Sequence, residues 1–286
     1  MSEFDYDEAF SRNLGFVSKE EHQRLRQSEV AIAGMGAVGG EYLTALARSG
    51  IGGYRIADFD QYELANFNRQ YGAAMSTLGR QKTDVMAEIA MDINPELRIR
   101  QFNQGIDEST MGDFLDGVDV LVDAVDIFEP DVHRLLINGA MQRGIPVCAS
   151  LPSGYGAGMV CFRQGGMSFD DYFDYSPEMS TDEKIVQLLL GFAPKAYHLK
   201  YIDMSSVDLK RRKGPSSIAG CRLCAGLVVT QTLVAILHPQ EFRGAPWFTH
   251  VDLRVNKLAH KKMHMGNRHP MQRLKKYIAL KRLNQA

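Results

Sequence analysis

The stretch Glu29-Val30-Ala31-Ile32-Ala33-Gly34-Met35-Gly36-Ala37-Val38-Gly39 decides the fold. Its first five residues, four of them apolar, read as a short buried strand. Gly34-x-Gly36-x-x-Gly39 follows at once, and Glu41 to Ser49 reads as a helix that Gly50-Ile51-Gly52-Gly53 ends. Three spaced glycines between a strand and a helix form a dinucleotide-type fingerprint. The glycines let the backbone turn tightly and approach a phosphate, which meets the positive end of the helix. The bland alternative is that they serve turn and packing geometry alone. Asp58 closes a second strand, Tyr54 to Asp58, 24 residues after Gly34, where a carboxylate suits ribose hydroxyls.

Upstream, Ser18-Lys19-Glu20-Glu21 has the form of a capping box and predicts a helix to about Gln27. Downstream, helices are expected over 79–92 and 130–143, and strands over 97–102, 119–123 and 145–150. Strands that alternate with helices predict an α/β, Rossmann-like, doubly wound, mostly parallel sheet. After Leu151 the pattern changes. Residues 154–162 read as a strand reached by a short Pro/Gly turn, and so as an antiparallel extension. Residues 164–215 read as a long crossover segment with one helix near 182–190, residues 218–237 as a long apolar helix, and 247–253 as a final strand. The expected organisation is an N-terminal helical arm (1–28), a nucleotide-binding core (29–163), the crossover segment (164–215), a helix and strand that complete the core (216–253) and a basic tail (254–286).

The chain has 286 residues and a formal net charge of −1, which hides an asymmetry. From Arg254 onward there are ten Lys/Arg and no acid, so the first 253 residues carry −11. Either the tail folds back on the protein's own acidic surface, the preferred reading, or it contacts a polyanion such as RNA. Four cysteines exclude a disulfide scaffold and suit a reducing compartment. The acidic start MSEFDYDEAF does not read as a secretory signal. The longest apolar stretch, 226–237, is broken by Thr230, Gln231 and Thr232, so no membrane span is expected. A cytoplasmic protein is the expectation.

A glycine loop alone does not separate NAD from ATP. The next stretch does: Asn66-Phe67-Asn68-Arg69-Gln70 follows the second strand, and Lys82 closes Gly79-Arg80-Gln81-Lys82. A dinucleotide needs no such cluster, whereas the outer phosphates of a triphosphate need added positive charge, which an Arg fork and a Lys supply. The fourth strand ends in Asp123-Ala124-Val125-Asp126, which puts a carboxylate at the edge of a central strand, well placed for Mg²⁺ beside those phosphates.

In this order, the glycine loop, Asp58-x-Asp60, Asn66-x-x-Arg69-Gln70, Lys82, Asn94-Pro95 and Asp123-x-x-Asp126 resemble the ThiF/MoeB/HesA group, the bacterial relatives of ubiquitin-activating enzymes. The resemblance runs from about residue 7 to 162, and more loosely to 253. It implies that Gly34, Gly36, Gly39, Asp58, Asp60, Asn66, Arg69, Gln70 and Lys82 bind ATP, with Asp58 on the ribose and Asn66, Arg69 and Lys82 on the phosphates. It implies Mg²⁺ on Asp126, and a homodimer in which Arg12 reaches the partner's site. It further implies an adenylyltransferase that activates a carboxylate, usually the C-terminus of a small ubiquitin-like or sulfur-carrier protein.

The departures count as well. Many members carry two Cys-x-x-Cys pairs for zinc; here there is only Cys221-Arg222-Leu223-Cys224, which argues against zinc. Residues 163–220 hold no cysteine, so the chemistry is expected to stop at the acyl-adenylate or to pass to an external nucleophile. Cys221, at a helix start, is kept as a nucleophile candidate, with helix packing the preferred reading. Two alternatives stand beside the carrier-protein reading: a tRNA threonylcarbamoyladenosine dehydratase-like enzyme, which the basic tail would suit, and a non-catalytic or NAD-binding Rossmann protein.

Overall fold

A computed structural model describes residues 4–203 and 214–283. The strand before the glycine loop is β1 (Glu29–Ala33), and the helix after it is α3 (Gly39–Arg48). Before them stand α1 (Tyr6–Ala9) and α2 (Lys19–Gln27), the latter opened by the Ser18/Glu21 capping box in both directions. Then follow β2 (Gly53–Ala57), α4 (Lys82–Ile93), β3 (Arg98–Phe102), α5 (Met111–Leu115), β4 (Val120–Asp123), α6 (Pro130–Gln142) and β5 (Val147–Ser153). The chain continues through β6 (Gly156–Phe162), α7 (Phe169–Phe173), α8 (Thr181–Phe192), α9 (Ile218–Leu237), β7 (Trp247–Asp252), β8 (Lys257–Lys262) and α10 (Pro270–Leu283).

All eight strands form one sheet in the order β3-β2-β1-β4-β5-β6-β7-β8. The five from β3 to β5 are parallel, and β6, β7 and β8 each add antiparallel. The strand order reverses between β1 and β4, so a crevice opens at their C-terminal ends. Alternation splits the core. Val30, Ile32, Val120 and Val122 face one cluster with α2, α3, α4 and α9, while Ala31, Ala33 and Leu121 face the other with α5, α6, α7 and α8.

The sheet does not end at β7, as the sequence reading had it. β8 is an edge strand in which only Ala259 is buried, and Lys257, Lys261 and Lys262 hold the edge in water. Charged edges of this kind block strand-to-strand aggregation, and they leave no apolar run to read. The basic tail is likewise structured. Arg268 pairs with Asp171 (3.0 Å) and Asp174 (3.3 Å), Lys276 with Glu183 (3.5 Å), and Lys275 Nζ donates to the Pro194 carbonyl (2.5 Å). The tail therefore folds back on the acidic helices α7 and α8.

By length and composition α9 could cross a membrane, with 20 residues and a mean hydropathy of 1.7. Here its buried side, which includes Cys221, Cys224, Val228 and Thr232, packs on β4, β5, β6 and α3. α8 docks on β6 through Gly158, where a Cβ would stand 1.9 Å from the Phe192 carbonyl oxygen. Gly158→Ala should therefore cost about 1–3 kcal/mol through forced displacement. Urea unfolding should show a lower midpoint at unchanged slope; an unshifted midpoint would mean that α8 is free to move away.

Candidate functional site

The crevice is built from backbone outward. Gly34 has φ +98°, and a Cβ there would lie 2.3 Å from the Ala124 carbonyl oxygen; at Gly39 it would lie 1.8 Å from the Gly34 carbonyl oxygen. Both positions require glycine, one by conformation and close approach, the other by approach alone. At Gly36 the nearest atom is Gln70 Nε2, 3.8 Å from an added Cβ, so that flank of the loop is open toward the crevice.

Asp58 anchors the loop. Its Oδ2 accepts from Met35 N–H (2.7 Å) and its Oδ1 from Asp60 N–H (2.8 Å). Each oxygen keeps a lone pair for a ribose hydroxyl. Burial lifts the Asp58 pKa above the usual carboxylate range, and the nearby Lys82 ammonium and the two amides oppose that rise. Lys82 opens α4, is buried, and pairs with the half-exposed Asp60 at 2.8 Å. A buried ammonium needs such a counter-charge.

Arg69 lies in the turn after Leu64–Asn66 and donates to the Ala65 carbonyl and Asn68 Oδ1 (both 2.9 Å). Asn66 is committed to Glu63 N–H (3.0 Å) and shapes that turn. Asn68 donates to the Ser216 carbonyl (3.0 Å), tying the turn to the start of α9. Gln70 is buried, and its Oε1 has no partner among the described residues. Such an orphaned acceptor marks a place where a ligand or water belongs. Asn94 is 1% exposed and accepts from Glu96 N–H, so it serves the turn after α4.

Across the crevice, Asp123 is fully buried at the end of β4 and Asp126 is exposed three residues on. Asp126 Oδ1 accepts from Phe128 N–H (3.1 Å) and its Oδ2 has no partner among the described residues. No cluster of three metal-ligating side chains occurs among the described residues. A single free carboxylate oxygen fits Mg²⁺ that arrives with a nucleotide, since that ion keeps waters and phosphate oxygens as its other ligands.

The sequence reading missed His133, on the first turn of α6. Its Nδ1 lies 2.6 Å from Asp123 Oδ2 and its Nε2 3.1 Å from the Asp126 carbonyl. Burial alone would lower its pKa, but Asp123 and the Asp126 carbonyl outweigh that and raise it. Nothing in one sequence separates this histidine from an ordinary core residue. Gln81, which donates to the Asp58 carbonyl (3.1 Å), was passed over for the same reason.

Arg12 is exposed in the short helical turn Ser11–Asn13, and its side chain has no hydrogen bond or ion pair among the described residues. The neighbouring Asn13 donates to the Arg48 carbonyl at the far end of α3 (3.4 Å). Ten residues of helix, about 15 Å, separate that end from the glycine loop. The structure does not bring Arg12 to its own chain's crevice.

The fold and this crevice define a Rossmann-type nucleotide-binding protein with added cations beside the phosphate loop. More specifically, the chain belongs to the ThiF family, which it matches over residues 10–274. It is 38% identical over 143 residues to the tRNA threonylcarbamoyladenosine dehydratase of Bacillus subtilis, covering 50% of this chain and 56% of that one. It is 30% identical over 132 residues to the SAMP-activating enzyme E1 of Haloferax volcanii, covering 46% and 48%. The chain thus spans about half the length of the curated relatives it matches. The fold is shared with Escherichia coli MccB in complex with MccA (TM-score 0.69, 19% identity, 92% of this chain and 73% of that one). It is also shared with the E. coli tRNA N6-threonylcarbamoyladenosine dehydratase in complex with AMP (TM-score 0.61, 19% identity, 82% and 96%).

All four cysteines are buried and unpaired. Cys221 lies close enough to Arg69 to feel its charge, yet burial pushes its thiol pKa up, as it does for Cys224. Packing, not nucleophilicity, is what the structure gives Cys221. In the native protein the thiols should react with Ellman's reagent no faster than the chain opens, and much faster in denaturant. A fast native burst lost in Cys221→Ala would reverse that assignment.

Proposed function

We propose that the protein is an ATP-dependent adenylyltransferase that activates a carboxylate as an acyl-adenylate. The observation that carries this is Asp58, held on the glycine loop with the Lys82 ammonium nearby, and Arg69 on the turn whose Gln70 faces Gly36. Two backbone amides hold Asp58. In the reaction a carboxylate oxygen attacks the α-phosphorus of ATP, the bond to the β-phosphate breaks, and pyrophosphate leaves. The attacking carboxylate is ionised at neutral pH, so no side-chain base is needed. Repulsion between anions is the barrier, and fixed cations lower it. Lys82 and Arg69 would face the phosphates, Asn66, Gln70 and Asp60 would shape their turn, and Gly34, Gly36 and Gly39 would admit the backbone to them. Asp126 would hold Mg²⁺, which supplies charge screening on the phosphates when bound.

A homodimer belongs to this reading: Arg12 stands away from its own chain's crevice and would serve a partner's site. Three features of the surface support it. Phe16 beside Arg12 is 94% exposed. The side of α9 that carries Leu227, Thr230 and Val234 borders a groove of about 360 Å³ that Trp247, Arg243 and His260 close. The arm adjoins that helix, because Glu21 of α2 pairs with His238 at the end of α9 (3.4 Å).

The substrate we favour is the C-terminus of a small carrier protein or peptide. Support comes from the solved MccB–MccA complex, whose likeness extends over nine-tenths of this chain. The modified-tRNA reading is favoured by a different observation: the identity to the tRNA dehydratase of B. subtilis is 38% over 143 residues. The docked tail leaves Arg273, Lys281 and Arg282 exposed for a polyanion.

ATP–pyrophosphate exchange with candidate carriers and with tRNA tests the function. Arg69→Ala and Lys82→Ala should each slow exchange by about 10²–10³-fold, or about 3–4 kcal/mol, with smaller losses in ATP binding. Unchanged exchange in both would remove the assignment. Mixing Arg12→Ala with Lys82→Ala should restore about a quarter of wild-type activity, because random pairing of a two-fold dimer leaves one intact site in half of the dimers. No recovery, or a monomer with full activity in sedimentation, would end the trans role of Arg12.

A further inference from the structure

His133 is a buried histidine that no step above uses, and its ring bridges the end of β4 and the start of the turn Asp126–Glu129. Asp123 closes β4 and is 2% exposed; its Oδ2 is 2.6 Å from His133 Nδ1, and its Oδ1 accepts from Val125 N–H (3.1 Å). Asp126 opens the turn Asp126–Glu129: its carbonyl accepts from Glu129 N–H (2.9 Å) and lies 3.1 Å from His133 Nε2. A carboxylate and a carbonyl can only accept, so the ring donates at both nitrogens. Phe192 of α8 backs it, with ring centroids 6.4 Å apart. Pro130 at the head of α6 and the burial of His133 on the next positions fix where the ring starts from.

The consequence falls on Asp126. Its side chain is exposed and has one oxygen tied to Phe128 N–H, so the side chain alone does not fix where the carboxylate stands. Ordering the backbone of one exposed residue costs about 1–2 kcal/mol. The Asp126 carbonyl is held twice, by Glu129 N–H (2.9 Å) and by His133 Nε2, and the two bonds together place that cost in the fold, ahead of any ligand.

We propose that His133 is a positioning residue that holds the Asp126 carboxylate ready for a divalent cation, by donating at once to the Asp123 carboxylate and to the Asp126 carbonyl. The inference rests on the reading of Asp126 as the residue that meets Mg²⁺ with ATP. His133 itself touches neither; it is 4% exposed and lies beneath the turn.

Two variants divide the bridge. The amide of His133→Asn reaches the position of Nδ1 and keeps the donor to Asp123, while losing the bond to Asp126. The amide of His133→Gln reaches the position of Nε2 and does the reverse. Three quantities are measured on the full chain: ATP binding in EDTA, the Mg²⁺ concentration that half-saturates its effect on ATP binding, and amide hydrogen exchange over residues 124–128. For the Asn variant, metal-free ATP binding should stay within about twofold, while the Mg²⁺ requirement rises about 10- to 100-fold, the usual cost of losing a group that orients a ligand residue. Exchange over 124–128 should accelerate in parallel. The Gln variant should keep a near wild-type Mg²⁺ requirement even if it melts earlier; should the Asn variant not fold, His133→Ala is compared with the Gln variant, and equal Mg²⁺ requirements in the two overturn the proposal. A lower melting temperature with unchanged Mg²⁺ requirement and unchanged local exchange in the Asn variant would make His133 a core residue only and overturn the proposal. If the wild-type protein shows no Mg²⁺ effect on ATP binding, the assignment of Asp126 fails instead, and the exchange data still report separately whether His133 holds the turn.

Discussion

The Asp58 carboxylate, held by the amides of Met35 and Asp60, ties the turn after β1 to the turn after β2. The rest of the site depends on that tie. It fixes the glycine loop against the neighbouring strand, presents the acid where a ribose would lie, and sets Asp60 at 2.8 Å from Lys82. Two charge-assisted hydrogen bonds stabilise a carboxylate that burial would otherwise push toward its neutral form. The fold thereby accepts a partly desolvated anion at the mouth of its crevice, and it arranges cations around that anion before any nucleotide is present.

The opposite wall follows the same logic with the signs exchanged. Asp123 is buried with no lysine or arginine against it among the described residues, and a histidine that donates from both ring nitrogens stands in as the counter-charge. Imidazolium is small, planar and rigid, so it neutralises the acid and also reaches a backbone carbonyl seven residues away along the chain. A lysine there would be a flexible point charge and would leave that carbonyl with the Glu129 N–H alone (2.9 Å). The two walls therefore differ in kind. One is held by main-chain donors around an acid, the other by a side chain between an acid and the main chain.

What could be read from the sequence follows from what is local. The loop from Glu29 to Gly39 announced itself because glycine spacing, an apolar strand and a helix start coincide within eleven residues, and the Ser18 cap did so because its partner is three residues away. That β1 to β5 would lie parallel followed from their alternation with helices, whereas their order in the sheet was not legible. β8 and α10 escaped because nothing in their composition marks burial: β8 buries one alanine, and α10 buries Gln272 while Met271, Leu274, Tyr277 and Ile278 stay exposed. Their folding depends on charges far apart in the chain, such as Arg268 with Asp171. His133 escaped for the same reason. Its role exists only once α6 has been laid beside the end of β4, and a lone histidine in a helix carries no sign of that.

The charge asymmetry and the long apolar helix, the two features that the motifs did not absorb, are joined by the way the chain returns on itself. The start of α9 is stapled beside the crevice, with Ser217 Oγ donating to the Gly154 carbonyl (2.6 Å) and Asn68 reaching Ser216. Its far end meets α2, where His238 faces Glu21 at 3.4 Å. Tyr201, on the other side of residues 204–213, bonds to Asp252 (2.7 Å) and to Tyr155 N–H (2.8 Å), so both flanks of that segment are fixed at the β5–β6 hairpin. α9 is thus a strut between the nucleotide crevice and the N-terminal arm. It is apolar on its inner side because it covers the sheet, and on its outer side it borders the Trp247 groove. A helix that only covered its own sheet would gain nothing from apolar residues facing outward, and solvent would favour charge there. Between residues 218 and 237 the single charged residue is Arg222, exposed in the first turn beside Glu41 (3.5 Å), so beyond that turn the outer side of the strut carries no charge of its own. That distribution suits the proposed homodimer, in which the outer side would be covered, with the exposed Phe16 and Arg12 on the arm at its end.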